Sequence, residues 1–438
     1  MTRVISIQPT VRHEGRSGLV LDIDEKGIVT KGDWVGMSPV RGFERFCLGK
    51  KMYHVPRLAS RTCGICPVPH VLAGVGAMEA SIGCEVPRDA LLLRRIIHSA
   101  SRLSVHALHA LMVLPDLYYP GTDTTINPFS PEPRARAITS RIQRIREIGQ
   151  VCVQIAGGEA IHPDNPRVGG MARNISPQAK TKLFDLTKEG RVLAHEHLDC
   201  MLALIRDYAR RDEVEIGGVR VPVPRRLGYH AQGDLATDPL YGTSSLEEHP
   251  GFDLDRYTEA SPRHWYGGPQ EVTFADPAYP GGGTLPAGTM VDPAREMCPA
   301  VPLWDGQPVE VGAAARLRRY NHFDERGTIG QLVARQRECI QAVTELEDCI
   351  DRVDPHGAVL ARSIPPGNGA LGWATNEAPR GTLAHIVRVR DRKVRSFKMI
   401  LPTSWNMPTA GLSCVGAPWQ LAEFIIRGYD PCMSCASH

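Results

Sequence analysis

The chain has little excess charge of either sign. Its 51 lysines and arginines stand against 48 aspartates and glutamates, a net of +3. A balance this even leaves no electrostatic footprint for nucleic acid. Aromatic residues, at 6%, offer few surfaces for base stacking. No run of 18 apolar residues occurs, so no membrane-spanning helix is expected. The first fifteen residues lack the charged-then-apolar pattern of an export signal. Twelve cysteines in 438 residues is far below the density of a disulfide scaffold, and the expectation is a reducing, cytoplasmic setting with free or metal-bound thiols. No Gly-x-Gly-x-x-Gly follows a strand pattern, so no dinucleotide or flavin site is visible. What remains, 42% hydrophobic and 23% charged, is the composition of a globular protein with a sizeable core.

Apolar periodicity predicts long helices at about 89–114, 134–156, 177–211 and 328–353, with Asp89 as a cap and Pro115 as a stop for the first. Alternation around Leu19–Ile23 and Ile28–Thr30, with a Glu25-Lys26-Gly27 turn, predicts a hairpin. A second strand pair is expected at 381–390 and 394–401, about Asp391-Arg392-Lys393. Residues 212–310 are rich in Pro, Gly, Asp and Tyr and are expected to form an irregular lobe packed on the helices. A last helix is predicted at about 419–427. The expected fold class is α+β but mainly α: a long-helix bundle with small peripheral sheets, one domain over residues 1–438.

Two Cys-x-x-Cys pairs stand at opposite ends of the chain, Cys63/Cys66 within 61–70 and Cys432/Cys435 within 430–438. Such a turn sets two sulfurs close enough to bind one soft metal. A zinc ribbon closes both knuckles within a few tens of residues, whereas Cys432 lies 366 positions after Cys66. A redox dithiol would need a βαβ unit, and an iron–sulfur cluster more often draws on three neighbouring cysteines. Spacing alone supports a metal centre without naming the metal. Cys47, Cys84, Cys152, Cys200, Cys298, Cys339, Cys349 and Cys414 show no ligand spacing and are expected to be buried. His98, His106 and His109 lie in the first long helix, where packing is the simpler expectation and a proton path the sharper one.

The two segments, RTCGICPVPH and DPCMSCASH, resemble the signatures of the [NiFe]-hydrogenase large subunit, RxCGxCxxxH and DPCxxCxxH. RHEG at Arg12–Gly15, RGFE at Arg41–Glu44, APRG at Ala378–Gly381 and PTSWN at Pro402–Asn406 extend the likeness in family order. The text around the first pair is most similar to the methanogen group that reduces the deazaflavin coenzyme F420. The resemblance implies a nickel–iron centre with carbon monoxide and cyanide on the iron, cleaving hydrogen heterolytically. In it Cys63 and Cys432 bind nickel terminally, while Cys66 and Cys435 bridge to iron. Cys432 and Glu14 would move the proton, and Arg380 would lie over the open metal position.

The same resemblance implies that Asp430 holds Arg380, that His70 bonds a bridging sulfur, and that Thr403 and Ser404 donate to cyanide. Asp116 would be an acid above the metals, although a helix-ending turn explains it more simply, and a turn after a strand explains PTSWN as well. A magnesium or iron ion is implied at Glu44, His438 and a carbonyl near Met399. Iron–sulfur clusters and FAD are expected in partner subunits: a small iron–sulfur subunit and a flavin subunit that reduces the coenzyme. A maturation protease is also implied, and an ending at His438 is expected for the processed chain. NAD-reducing, heterodisulfide-reductase-linked and hydrogen-sensing relatives remain alternatives.

Overall fold

In the computed structural model, residues 3–37, 40–228, 230, 233–246, 251–267, 270–274, 289–292 and 300–438 are described. The helices Arg88–Val113, Pro133–Gly157, Pro177–Ala209 and Gly327–Arg352 pack into one bundle. Each matches a predicted helix to within a few residues. Arg88–Val113 is the central member. It contacts both Pro133–Gly157 and Gly327–Arg352, and Pro177–Ala209 closes the far side against those two. Close approach is made possible by Gly149: a Cβ there would meet the Ala100 carbonyl at 2.5 Å. Asp89 does not cap its own helix as expected. Its carboxylate instead accepts the Asp354 N–H at 3.0 Å, tying the end of the neighbouring helix down.

The N-terminal hairpin forms as predicted, Ser17–Ile23 against Val29–Gly36, with Gly27 at φ +77 in its turn. It is the edge of a five-stranded sheet ordered Thr289–Val291, Gln270–Phe274, Arg3–Ile7, Ser17–Ile23, Val29–Gly36. Arg3–Ile7 pairs in parallel with Gln270–Phe274, so the 212–310 segment is stitched to the start of the chain. A second stitch pairs Val301–Trp304 with Tyr257–Ala260. That segment is therefore built from short strands, although part of it, including Cys298, lies outside the described residues.

The predicted strand pair is Gly381–Arg390 with Lys393–Ile400, and a third strand, Asn368–Ala378, completes the sheet. Asp391 and Arg392 both have positive φ, 54° and 59°, the geometry of the mirror-image turn that suits strand twist. Against this sheet packs the helix Pro67–Ile82, which no periodicity announced because it is buried on nearly every side. Cys66 immediately precedes it, with Pro67 at the first helical position, where the missing N–H costs nothing. PTSWN is not a turn. It opens the buried helix Pro402–Ser413, again with proline first. Among the described residues, no helix is long and apolar enough to cross a membrane.

Candidate metal centre

Cys63 and Cys66 come from the loop before Pro67–Ile82, and Cys432 and Cys435 from the last turn of chain, around the short helix Met433–Ala436. Their four sulfurs lie within 4.8 Å of one another. Cys63 Sγ is 3.3 Å from Cys432 Sγ, Cys66 Sγ is 3.3 Å from Cys435 Sγ, and Cys432 and Cys435 are 3.1 Å apart. All four are buried, none above 5% exposed. No two of the described cysteines are joined.

Four ionised sulfurs in a dry site need a compensating cation. Without one, the quartet splits. Hydrogen bonds from Cys432, Cys435 and Cys63 pull Cys66 well below the usual thiol range, while burial pushes Cys432 up. Soft thiolate donors arranged in this way suit nickel, iron or zinc. A small cavity lies beside Cys66 and Cys435, lined by His70, Arg380, Leu383, Pro402 and Thr403.

Three devices bring the chain's end to this place. Glu14 pairs with Cys432 as an isolated bridge, the Met433 N–H donating to the Glu14 carbonyl at 3.0 Å. Gly15, at φ +80, allows the contact, since a Cβ would lie 2.7 Å from Met433 Cβ. The Arg41 guanidinium donates to the carbonyls of Thr62, at 2.6 Å, and Ser434, joining the two cysteine loops directly. That clamp was missed in the sequence, although the RGxE signature contains it.

Glu14 lies in the loop before the strand Ser17–Ile23. Its Oε2 sits 3.1 Å from Cys432 Sγ and accepts the Ser434 N–H at 2.8 Å; the Ser434 hydroxyl holds Oε1. Arg380, 4% exposed, donates through Nε to the Asp430 carbonyl at 2.7 Å and through Nη2 to its carboxylate at 3.1 Å. Burial opposes that charge, but Asp430 and the sulfurs of Cys432, Cys66 and Cys63 outweigh it, so Arg380 is held protonated. Its Nη1 has no hydrogen-bond partner among the described residues. Asp430 takes a left-handed φ of +52° to make the contact. Burial works to raise its carboxyl, and Arg380, His109 and Arg335 together bring it below the usual range. His70 Nε2 lies 3.5 Å from Cys435 Sγ. Thr403 Oγ1 accepts the Cys432 N–H at 3.1 Å, which leaves its hydroxyl proton to donate elsewhere.

Asp116 is clamped by Arg12 at 2.6 Å and Arg427 at 2.8 Å, a half-buried knot that fixes the helix end to the loop before Glu14. Ser404 lines the neighbouring pocket with Glu44 and His438 rather than the apolar cavity. The Met399 N–H donates to Glu44 Oε1 at 2.7 Å, and Met399 lines the same pocket as Glu44 and His438. Glu44 and His438 do meet, at 3.3 Å, while His438 Nδ1 lies 3.1 Å from the Cys435 carbonyl. Burial raises the Glu44 carboxyl, yet the His438 and Met399 contacts prevail and leave it lowered.

The family profile described as nickel-dependent hydrogenase matches residues 41–114 and 323–438. Coenzyme F420 hydrogenase subunit alpha of Methanosarcina barkeri is 51% identical over 438 residues, covering 100% of this chain and 96% of the relative. The protein of the same name in Methanothermobacter thermautotrophicus is 35% identical, covering 100% and 95%. Among solved structures, the reduced Ni-Fe-Se hydrogenase of Desulfomicrobium baculatum superposes with a TM-score of 0.75 at 22% identity, over 99% of this chain and 100% of that one. That last likeness concerns the fold.

Proposed function

This chain belongs to the nickel-dependent hydrogenase family, and on that premise we propose that it is the metal-bearing subunit of a coenzyme F420-reducing hydrogenase. The observation that carries the reading is the convergence of Cys63, Cys66, Cys432 and Cys435 in one buried quartet. The F420 assignment is supported by 51% identity to the Methanosarcina barkeri protein along the whole chain. The chain would act as one domain whose ligand pairs come from its two ends. A nickel–iron pair carrying carbon monoxide and cyanide would supply the heterolytic cleavage of dihydrogen. Cys63, Cys66, Cys432 and Cys435 would hold that pair.

The chain's own residues handle the proton and the charge. Cys432 is the accepting sulfur, and Glu14 Oε2, 3.1 Å away, takes the proton from it in one transfer. Ser434 fixes that carboxylate through its N–H and its hydroxyl. Arg380 stays charged and, tethered by Asp430, keeps a positive field on the sulfurs without serving as a base. His70 lies against the Cys435 sulfur and would tune it, and Thr403 with the apolar walls would border any small ligands on the iron. Glu44 and His438, with water, would hold a magnesium or iron ion.

Electrons would leave singly through clusters on a small iron–sulfur subunit and reach a flavin subunit that reduces F420. A protease would complete maturation. Free thiols throughout the described residues support a cytoplasmic setting. Metal analysis and infrared spectroscopy of the purified complex test the reading. Nickel with iron, carbonyl and cyanide bands, and hydrogen-dependent F420 reduction are expected. Zinc without those bands would overturn it.

A further inference from the structure

His385 lies in the strand Gly381–Arg390, opposite Met399 in register, and is fully buried. Its ring packs edge-on against Phe397, with centroids 5.2 Å apart. It also stands 5.7 Å from the ring of His70, tilted by 44°. His70 is the histidine whose Nε2 lies 3.5 Å from Cys435 Sγ. Neither nitrogen of His385 has a hydrogen-bond partner among the described residues, and nor does His70 Nδ1. Three orphaned ring nitrogens thus meet in one buried place, one side chain removed from a sulfur of the quartet.

A buried polar atom without a partner costs about 1–3 kcal/mol, and three together call for a shared one. Packing alone would be served better here by phenylalanine, which fits beside Phe397 with no polar atom to bury. The two rings make no direct hydrogen bond. What joins them is therefore one water, which needs about two to four polar partners and finds them in His70 Nδ1 and His385. Burial chiefly, with His70 and His438 nearby, holds His385 as a neutral imidazole, so one of its nitrogens donates and the other accepts. A thiolate on a metal can only accept, so the His70 proton that serves Cys435 sits on Nε2. Which ring nitrogen carries that proton is set by the hydrogen bond the other one makes.

We infer that His385 is a positioning residue for the metal centre: through one buried water on His70 Nδ1, it fixes the tautomer that directs Nε2–H at the Cys435 sulfur. The inference rests on the proposed metal-bearing role of the quartet. The water donates to Nδ1 and accepts from His385, and no covalent bond changes. A hydrogen bond to a thiolate draws electron density from the sulfur. His385 therefore acts on the metal centre through His70, without touching a ligand sulfur itself.

A high-resolution map of the purified complex tests the contact by itself. A water within hydrogen-bonding distance of both His70 Nδ1 and His385 is expected, and a dry gap overturns the inference. Infrared spectra of the holoenzyme test the effect. His385→Phe keeps a ring and removes the donor, so the carbonyl and cyanide bands are expected to move to lower wavenumber. His70→Phe should move them the same way, and the double variant no further than His70→Phe alone. His385→Gln, which keeps an amide donor, should leave the bands close to their wild-type positions. Wild-type bands in His385→Phe with full nickel content would sink the inference. So would equal shifts in the Gln and Phe variants, the mark of a merely structural role. Carbonyl and cyanide bands missing from the wild type would instead sink the metal-bearing reading, and the map would still decide the contact.

Discussion

Glu14 is a carboxylate whose two oxygens are both committed, one to the Ser434 hydroxyl and one to the Ser434 N–H and the Cys432 sulfur. Glutamine preserves its shape and removes its basicity, so Glu14→Gln should cut hydrogen-dependent turnover by about a hundredfold with nickel content unchanged. A fall in bound nickel would show that the residue serves to dock the tail. Arg380 makes a different prediction. Its two contacts to Asp430 come from two nitrogens of one planar fork, which an ammonium cannot reproduce. Arg380→Lys keeps the charge but loses its placement, and a loss on the order of a hundredfold in kcat is expected with the infrared bands retained. Activity near wild type would assign the role to charge alone.

At the scale of elements, the site depends on a loop and a tail that meet with no room to spare. Gly15→Ala puts a Cβ 2.7 Å from Met433 Cβ at a backbone φ of +80, and the left-handed strain alone costs about 1–2 kcal/mol. The tail should then fail to seat, so purified complex is expected to carry far less nickel while the bundle keeps its helical circular dichroism. Full nickel loading would mean that the Arg41 clamp suffices. The four bundle helices and both hairpins were legible because their apolar residues repeat with one period and face one core. Pro67–Ile82 and Pro402–Ser413 were not. Both begin with proline, the second also contains Pro408, and both are buried nearly all round, so neither shows an amphipathic face. The cysteine quartet was legible from motif spacing. The Asp116 knot was not legible, because its partners, Arg12 and Arg427, lie far away in sequence and no local pattern predicts such a contact.

The whole molecule stores imidazole in places where its charged form is costly. His106, His109 and His197 are each pushed down to about 4, chiefly by burial. In the unfolded chain the same groups titrate near 6.5. Between those values the unfolded state binds more protons than the folded one, so stability is complete above about pH 6.5 and falls as pH drops toward 4. The slope is up to about 1.4 kcal/mol per pH unit for each histidine. Asp116, Asp430 and Glu44 are lowered instead, so their contributions are lost only below the ordinary carboxylate range. Glu345, Glu423 and Asp33 are pushed up by burial and act in the opposite sense. Between pH 6.5 and 5.5 the buried histidines, His98 and His385 among them, weaken the fold as pH falls, while the raised carboxyls oppose them. Thermal unfolding of the complex should move to lower temperature across that range, and His197→Gln, which removes one of these titrations, should give a shallower dependence. An identical dependence in that variant would place the acid sensitivity elsewhere, in the carboxylates or in loss of metal.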